Sequence, residues 1–325
     1  MITDIKTRLV SKILQEYDTN KLNHIEYIVN IDEIREKVKD VFLSKNVPVY
    51  GYTYEHTVNN LIAEVKVDLT TKIQFLEDIK QGKAFDTTRF MIESLEKPVD
   101  IRSYMNIDMN IDHVMNFIAD DWSCAAVGKG EYFFTVFLNG ATKPNGPGDI
   151  HLGKNKVELK GKEARLCSTT THASPASIRT NVHAALERFS NRQYTSLPVF
   201  GKENVAKFYD KAFSDKKTYI QFVKYTFNKL AYKATPDNFE FVDDCISDEH
   251  VLNWEKWKYH QAIFEYEYYK KHENHDMILF LHPEKMKALL TRNVSDIKNN
   301  YSNFSLKAKY NWNGEHGKTM FWSLK

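Results

Sequence analysis

The segment 148–162, GDIHLGKNKVELKGK, constrains the fold of this chain more than any other stretch of its sequence. Gly153-Lys154 has the composition of a two-residue hairpin turn with glycine first. Because side chains alternate along a strand, the residues on either side of this turn separate into two faces. The apolar face is Ile150, Leu152, Val157 and Leu159, and the polar face is Asp149, His151, Lys156, Glu158 and Lys160. The segment therefore predicts a hairpin whose apolar face packs on a core.

Apolar residues at helical spacing dominate the remainder of the chain. Ile34, Val38, Val41 and Phe42 form one such stripe, in a helix that Asp32 would cap. Further helices are predicted at 55–82, 86–96, 109–120, 127–140, 173–192, 202–213, 216–232 and 248–272. The chain is therefore expected to be mainly helical around its hairpin.

Two further β segments are predicted near the end of the chain. Residues 276–281, DMILFL, have the continuous apolar character of a buried strand, and an Asn-Gly turn closes a last hairpin. We expect an α/β fold with a small mixed sheet of about four strands and extensive helical additions. The change of character after Asp121 predicts a helical N-terminal domain at 1–120 and a second domain at 121–325.

The aromatic segment 254–271, WEKWKYHQAIFEYEYYKK, is predicted to bury one face of a helix. The residues on that face are Trp254, Trp257, His260, Ile263, Phe264 and Tyr268. Tyr266 and Lys270 lie on the other side, where they are expected to reach phosphate. His272 and His275 follow, and we expect a solvated helix end there, because no cysteine or second histidine pair is nearby to complete a zinc site.

Composition limits the classes of protein to which the chain belongs. The sequence has no apolar run near the roughly 18 residues of a membrane helix, and its charged N-terminus does not resemble a signal peptide. Cys124, Cys167 and Cys245 are widely spaced, which predicts reduced structural thiols in an intracellular protein.

The formal net charge of +2 hides a basic middle: residues 121–240 hold about 18 Lys and Arg against about 11 Asp and Glu. That region would attract a polyanion, although ordinary solvated helix faces explain it equally well.

The predicted hairpin register brings two carboxylates together. A two-residue turn pairs Asp149 with Glu158, and opposed Cβ atoms lie about 5 Å apart. Like charges at that separation repel unless a proton or a cation intervenes. Mg²⁺ or Mn²⁺ would resolve the conflict, because these ions prefer carboxylate and water oxygens. Lys160 points from the same face, and the main-chain carbonyl of Leu159 is a further candidate ligand.

This arrangement resembles the active site of the PD-(D/E)XK nuclease superfamily. Pro147-Gly148-Asp149 supplies the first part of the motif, and Glu158-Leu159-Lys160 supplies the (D/E)XK part. Glu131, predicted in the first turn of a short helix, matches the acidic residue that these enzymes often carry upstream of the sheet. The resemblance implies a restriction-endonuclease-like core over roughly residues 125–200. GKGE, GD and ELKGK together also resemble uncharacterised tailed-phage proteins.

The resemblance implies a role for each of these residues. Asp149, Glu158 and Glu131 would bind Mg²⁺ or Mn²⁺, and Lys160 would be the catalytic cation. The candidate contacts to nucleic acid are Lys162, Arg165, Lys156, His151 and Lys129. The implied activity is metal-dependent hydrolysis of phosphodiester bonds, with DNA as the expected substrate and RNA not excluded. A homodimer is possible, and the expected location is the host cytoplasm or a virion.

One feature departs from the recombination-exonuclease branch of that superfamily, which carries Gln and Tyr four residues apart on the helix after the sheet. Here Gln193 and Tyr194 are adjacent, and Gln261 is followed at that distance by Glu265. Three alternatives stay open. The polar face of the hairpin could be a plain Lys–Glu ladder, the chain could bind nucleic acid without cutting it, or it could be a phage structural or assembly protein that retains the nuclease fold.

Overall fold

The computed structural model describes residues 31–50, 52–63, 65, 67–107, 129–145, 148–166, 175–190, 213, 215–226, 240–246, 253–307 and 320–325. Within these residues the chain is mixed α/β, with a six-stranded mixed sheet, a three-stranded sheet and several helices. The predicted α/β class is confirmed, whereas the restriction-endonuclease-like core stays a prediction. No described helix is both long and apolar enough to cross a membrane.

In chain order, the helices and strands are α1 (31–44), α2 (Tyr52–Ala63), α3 (Leu69–Lys80), α4 (Thr87–Glu96), β1 (Val99–Asp100), α5 (Lys129–Phe137), β2 (Ala141–Thr142), β3 (Ile150–Leu152), β4 (Asn155–Lys160), β5 (Ala164–Arg165), α6 (Pro175–Ser190), α7 (Lys216–Thr226), α8 (Phe241–Cys245), α9 (Trp254–Glu273), β6 (Met277–His282), β7 (Lys287–Thr291), α10 (Val294–Asn300), β8 (Phe304–Lys307) and β9 (Phe321–Leu324). The predicted helix at 109–120, residues 202–212 of the helix predicted at 202–213, the turn of the last hairpin, Cys124 and Cys167 lie outside the described residues.

The described residues form two compact units that alternate along the chain. The first unit takes its residues from Met1–Arg89, Arg102–Asn145 and Asp149–Lys154. The second unit takes its residues from Phe90–Ile101, Gly146–Gly148 and Asn155–Lys325. The domain boundary expected at residue 120 stays a prediction.

Within the first unit, helix α1 carries the predicted apolar stripe. Ile34, Val38, Val41 and Phe42 are all at most 2 % exposed, so the predicted buried face is confirmed. Residue 31 is already helical, so Asp32 lies inside the helix and does not cap it, contrary to the prediction.

A single helix was expected at 55–82, and the structure divides this stretch into α2 and α3. The division occurs at Asp68, whose extended backbone places its carboxylate at the N-terminus of α3. There its Oδ1 accepts a hydrogen bond from Thr71 N at 2.9 Å. Aspartate at this position satisfies a main-chain N–H that has no partner within the helix. Local capping therefore overrides the continuous helical pattern of the sequence.

Helix α5 is anchored by its aromatic residues. Phe133, Phe134 and Phe137 are buried. The Phe133 ring stacks on that of Phe137 at 4.9 Å and meets that of Phe134 edge-on at 4.8 Å. This packing fixes the start of the helix, where Glu131 occupies the first turn as predicted.

The second unit is built on strands in the order β1-β7-β6-β4. β6 runs parallel to β4 and antiparallel to β7. The strand expected at 276–281 is confirmed, because β6 is buried almost along its whole length, as its continuous apolar run predicts. β7 was not predicted, since KALLT is short and begins directly after the turn at Met286, which has a φ of 50°.

The three-stranded sheet, in the order β5-β9-β8, closes the core of the second unit. β8 and β9 pair antiparallel, as the predicted last hairpin requires. Phe280 of β6 packs against Phe304 and Trp322 of these strands at centroid distances of 4.9 and 5.6 Å. This aromatic cluster joins β6 to the C-terminal strands.

Helix α9 begins at Trp254, six residues after the start that was predicted at 248, and it buries a different face from the predicted one. The residues that are at most 4 % exposed are Trp257, Gln261, Ala262, Glu265, Tyr266 and Tyr269. His260, Ile263, Phe264 and Tyr268 are only partly buried. The expectation that Tyr266 reaches phosphate was wrong, because its side chain is completely buried. The sequence misleads here because the helix buries a glutamine and a glutamate, which periodicity assigns to solvent.

Candidate active site

Strand β4 presents Glu158 and Lys160 on the same face. Its neighbour β6 holds them in register, with Glu158 opposite Ile278 and Lys160 opposite Phe280. Lys160 Nζ donates to Glu158 Oε1 at 2.6 Å. The two side chains are only 16 % and 12 % exposed, which distinguishes this pair from an exposed surface ladder. The structure thus brings together the Glu and Lys of the predicted motif.

Tyr269 of α9 contacts both members of this pair. Its hydroxyl donates to Glu158 Oε1 at 2.8 Å. Its ring lies beneath the Lys160 ammonium, 4.9 Å from ring centroid to Nζ, in a cation–π contact. Tyr269 was not predicted as a site residue from the sequence. The available signal was its position eight residues after Gln261, on the same side of the helix.

His275 lies on the other oxygen of Glu158. Its Nε2 is 3.3 Å from Glu158 Oε2, and the residue is 8 % exposed. Burial lowers the pKa of the His275 imidazole below its ordinary value, although the carboxylate of Glu158 acts in the opposite direction. Among the described residues, its buried Nδ1 has no hydrogen-bond partner. The expectation of a solvated helix end was therefore wrong for His275, while His272 is exposed as expected.

The junction between α9 and β6 fixes the start of β4. Asn274 ends the helix in a left-handed conformation with a φ of 57°. Asp276 then clamps the strand, because Lys156 N donates to Asp276 Oδ2 at 2.7 Å and Asp276 N donates to Lys156 O at 2.9 Å. These two bonds fix the register of β4 against β6 at Lys156, two residues before Glu158.

The first unit holds two other predicted ligands, Glu131 and Asp149. Lys143 Nζ donates to Glu131 Oε2 at 2.6 Å and to the main-chain carbonyl of Asp149 at 3.2 Å. Both members of the Lys143–Glu131 ion pair are partly buried. Lys143 was not selected from the sequence, where it stands in the irregular loop that follows β2. The register that would pair Asp149 with Glu158 stays a prediction.

The hairpin elements lie where the sequence placed them. β3 ends at Leu152, β4 begins at Asn155, and Gly153 between them has a φ of 60°. On the apolar face, Ile150 and Val157 are buried. Leu152 and Leu159 are partly exposed, so the burial of that face is incomplete.

The other predicted residues have separate surroundings. Lys162 pairs with Glu284 at 2.8 Å on the surface. The Arg165 guanidinium lies 5.8 Å from the ring centroid of Phe321. Leu159 pairs with Leu279 in the parallel ladder, and His151 is partly buried on β3. The side chain of Lys129 lies outside the described residues.

Among the described residues, no group of three or more His, Cys, Asp or Glu side chains is arranged to hold a metal ion. Comparison with protein-family models, with curated proteins and with solved structures finds no match to the chain.

Proposed function

We propose that the chain is a metal-dependent nuclease of the PD-(D/E)XK type that hydrolyses phosphodiester bonds, with DNA as its substrate. The observation that supports this most directly is the shielded Glu158–Lys160 pair on β4, with its ammonium 2.6 Å from its carboxylate. A carboxylate and an ammonium two residues apart on one strand face are the elements that this chemistry requires.

In this proposal Glu158, Asp149, Glu131 and the Leu159 carbonyl supply oxygen ligands to Mg²⁺ or Mn²⁺. The bound ion would polarise the phosphate and lower the pKa of a bound water. Lys160 would place a positive charge where negative charge develops on the phosphate. Its low exposure makes that charge more effective than it would be in water.

The acidic site needs basic surroundings to receive a polyanion. Lys162 and Arg165 follow β4 directly and are exposed, and the basic middle of the chain extends beyond them. Such charges favour encounter with nucleic acid and make binding weaken as salt rises. They are proposed here as phosphate contacts, together with Lys156, His151 and Lys129.

The proposal is tested by incubating the protein with linear, nicked and supercoiled DNA in Mg²⁺, Mn²⁺ or EDTA. We expect metal-dependent cutting that falls by at least about a hundredfold in Lys160→Ala, and a comparable loss in Glu158→Gln and Asp149→Asn. The Lys307–Glu163 pair, at 2.6 Å on the exposed surface of the same unit as Glu158, provides the matched controls Lys307→Ala and Glu163→Gln. Undiminished cutting by Lys160→Ala would contradict the catalytic role of this lysine.

A second candidate is a module that binds nucleic acid without cutting it. It is favoured by one observation: Lys143 and Lys160 each place an ammonium 2.6 Å from a carboxylate, on Glu131 and Glu158. These carboxylates are therefore compensated without a metal ion. Gel shifts with no cutting in any metal would favour this candidate, and the absence of both would favour a structural or phage-assembly role.

A further inference from the structure

A stripe of hydrogen-bonded polar side chains runs along the buried face of α9. Trp257 Nε1 donates to Gln261 Oε1 at 2.8 Å, and Gln261 Nε2 donates to Glu265 Oε1 at 2.6 Å. All three residues are at most 2 % exposed. Residues four apart lie one above another on a helix, so these contacts lie in line along its axis.

The C-terminal strand holds this stripe at Glu265. Met320 N lies 3.0 and 3.1 Å from its two carboxylate oxygens, and Trp322 Nε1 donates to Oε2 at 3.3 Å. Because hydrogen bonds to a buried carboxylate are expensive to break, Glu265 fixes α9 against β9. The orientation of the helix about its own axis is thereby determined at this point.

Tyr269 is the next residue on the same side of the helix, four positions after Glu265. Its hydroxyl reaches Glu158 Oε1, and its ring supports the ammonium of Lys160. With 4 % exposure, Tyr269 has little freedom to choose another rotamer. One side chain therefore contacts both halves of the Glu158–Lys160 pair.

We propose that Tyr269 is a positioning residue for the Glu158–Lys160 pair, held in place by the buried stripe that β9 anchors at Glu265. This inference rests on the proposed function and extends it to the residues that preorganise the site. The hydroxyl of Tyr269 holds Glu158 Oε1 beside Lys160, while His275 lies on Oε2, so that loss of the hydroxyl weakens the restraint on the oxygen that faces the ammonium. The ring keeps the ammonium from moving away from the strand.

Tyr269→Phe separates these two contributions, because it removes the hydroxyl and keeps the ring. We expect kcat for metal-dependent DNA cutting to fall about tenfold, the value of one hydrogen bond to a charged group, with KM for DNA changed less than about twofold. Tyr269→Leu also removes the ring, and its kcat should fall about tenfold further. Glu265→Gln should also lower kcat, because it weakens the hydrogen bonds that hold α9 against β9.

Tyr268→Phe is the matched control, since Tyr268 is the neighbouring tyrosine and its ring stacks on Phe264. Its kcat should match that of the wild type. Equal kcat in Tyr269→Phe and Tyr268→Phe would overturn the inference. A loss that appears only in KM would also overturn it, because misplacement of the pair affects the chemical step.

A double-mutant cycle between Tyr269→Phe and Glu158→Ala, read by denaturant unfolding, gives a result that does not depend on cutting. We expect the two changes to be non-additive, because each removes the same hydrogen bond. Additive changes would overturn the positioning contact even if the protein cuts DNA. Absence of cutting by the wild type, together with a non-additive cycle, would reject the proposed function and retain the Tyr269–Glu158 contact.

Discussion

Lys156 and Asp276 exchange two hydrogen bonds where the parallel strands β4 and β6 begin, one through the Asp276 carboxylate and one through its main-chain N–H. Parallel strands are joined only through a long connection, so their register needs a local determinant. In the second unit the two Lys156–Asp276 hydrogen bonds are such a determinant, and they lie two residues before Glu158.

Asp276→Ala should destabilise the protein by about 1 kcal/mol, because it removes the acceptor for Lys156 N while the site stays open to water. Urea denaturation would measure the change, and hydrogen exchange of the Lys156 amide should accelerate. Asp244→Ala, at another exposed aspartate of the same unit, should leave both quantities nearly unchanged. Unaltered exchange at Lys156 in Asp276→Ala would show that the clamp does not hold the strand.

Gly82→Ala should destabilise the first unit more than Gly153→Ala. Both glycines have a positive φ, of 70° and 60°, so either substitution costs about 1 kcal/mol of backbone strain. A Cβ at Gly82 would also lie 2.4 Å from Asn139 Cγ, whereas a Cβ at Gly153 meets nothing within 4 Å. We expect a total of about 2 kcal/mol or more at Gly82 by thermal or urea unfolding. Equal effects at the two positions would mean that Asn139 moves away without cost.

Lys143→Met should raise the affinity of the protein for Mn²⁺ if Glu131 is a metal ligand. The ammonium of Lys143 lies 2.6 Å from the Glu131 carboxylate and competes there with any added cation. Mn²⁺ binding followed by electron paramagnetic resonance would measure the change. Lys37→Met, which removes a similar partner from Glu77 in the same unit, is the control and should leave Mn²⁺ affinity unaltered. An unchanged affinity in Lys143→Met would remove Glu131 from the proposed ligand set.

Cys245 should make stability depend on pH in the alkaline range. Burial raises the pKa of its thiol to about 11 from an ordinary value of 9.0. The folded state therefore retains its proton where the unfolded chain has lost it. This contribution to the free energy of unfolding is complete below pH 9 and decreases as the pH rises toward 11.

Urea denaturation between pH 8 and 10 would measure this dependence, and Cys245→Ala should show a shallower decrease of stability over that range. Alkylation of the folded protein at pH 8, followed by mass spectrometry of the Cys245 peptide, should also be slow. Rapid labelling under native conditions would show that the thiol is accessible and that its pKa is not raised by burial.

Local patterns in the sequence predicted those parts of the fold that depend on neighbouring residues. The α1 stripe, the strand at Met277–His282 and the turn at Gly153 all follow from periodicity or from the conformational freedom of glycine. Glu158 and Lys160 were also placed correctly on one strand face, because alternation along a strand is a local property.

Periodicity failed where a buried polar group is stabilised by residues distant in the sequence. Glu265 is buried because Met320 and Trp322, more than fifty residues later, donate to it. Lys143 similarly finds Glu131 across a loop. Such pairings are a property of the packed chain. A helical pattern assigns Glu265 to solvent, and Lys143 stands in a loop that has no periodic pattern.

The sequence by itself determined that Glu158 and Lys160 share a face, that the hairpin turns at Gly153-Lys154, and that a buried strand follows α9. Only the tertiary structure decided that Tyr269 and His275 surround the Glu158 carboxylate. The physical reason is that strand alternation depends on the backbone alone. The partners of a buried charge depend instead on which helix face packs against the sheet, and that face is set by contacts between residues more than fifty positions apart.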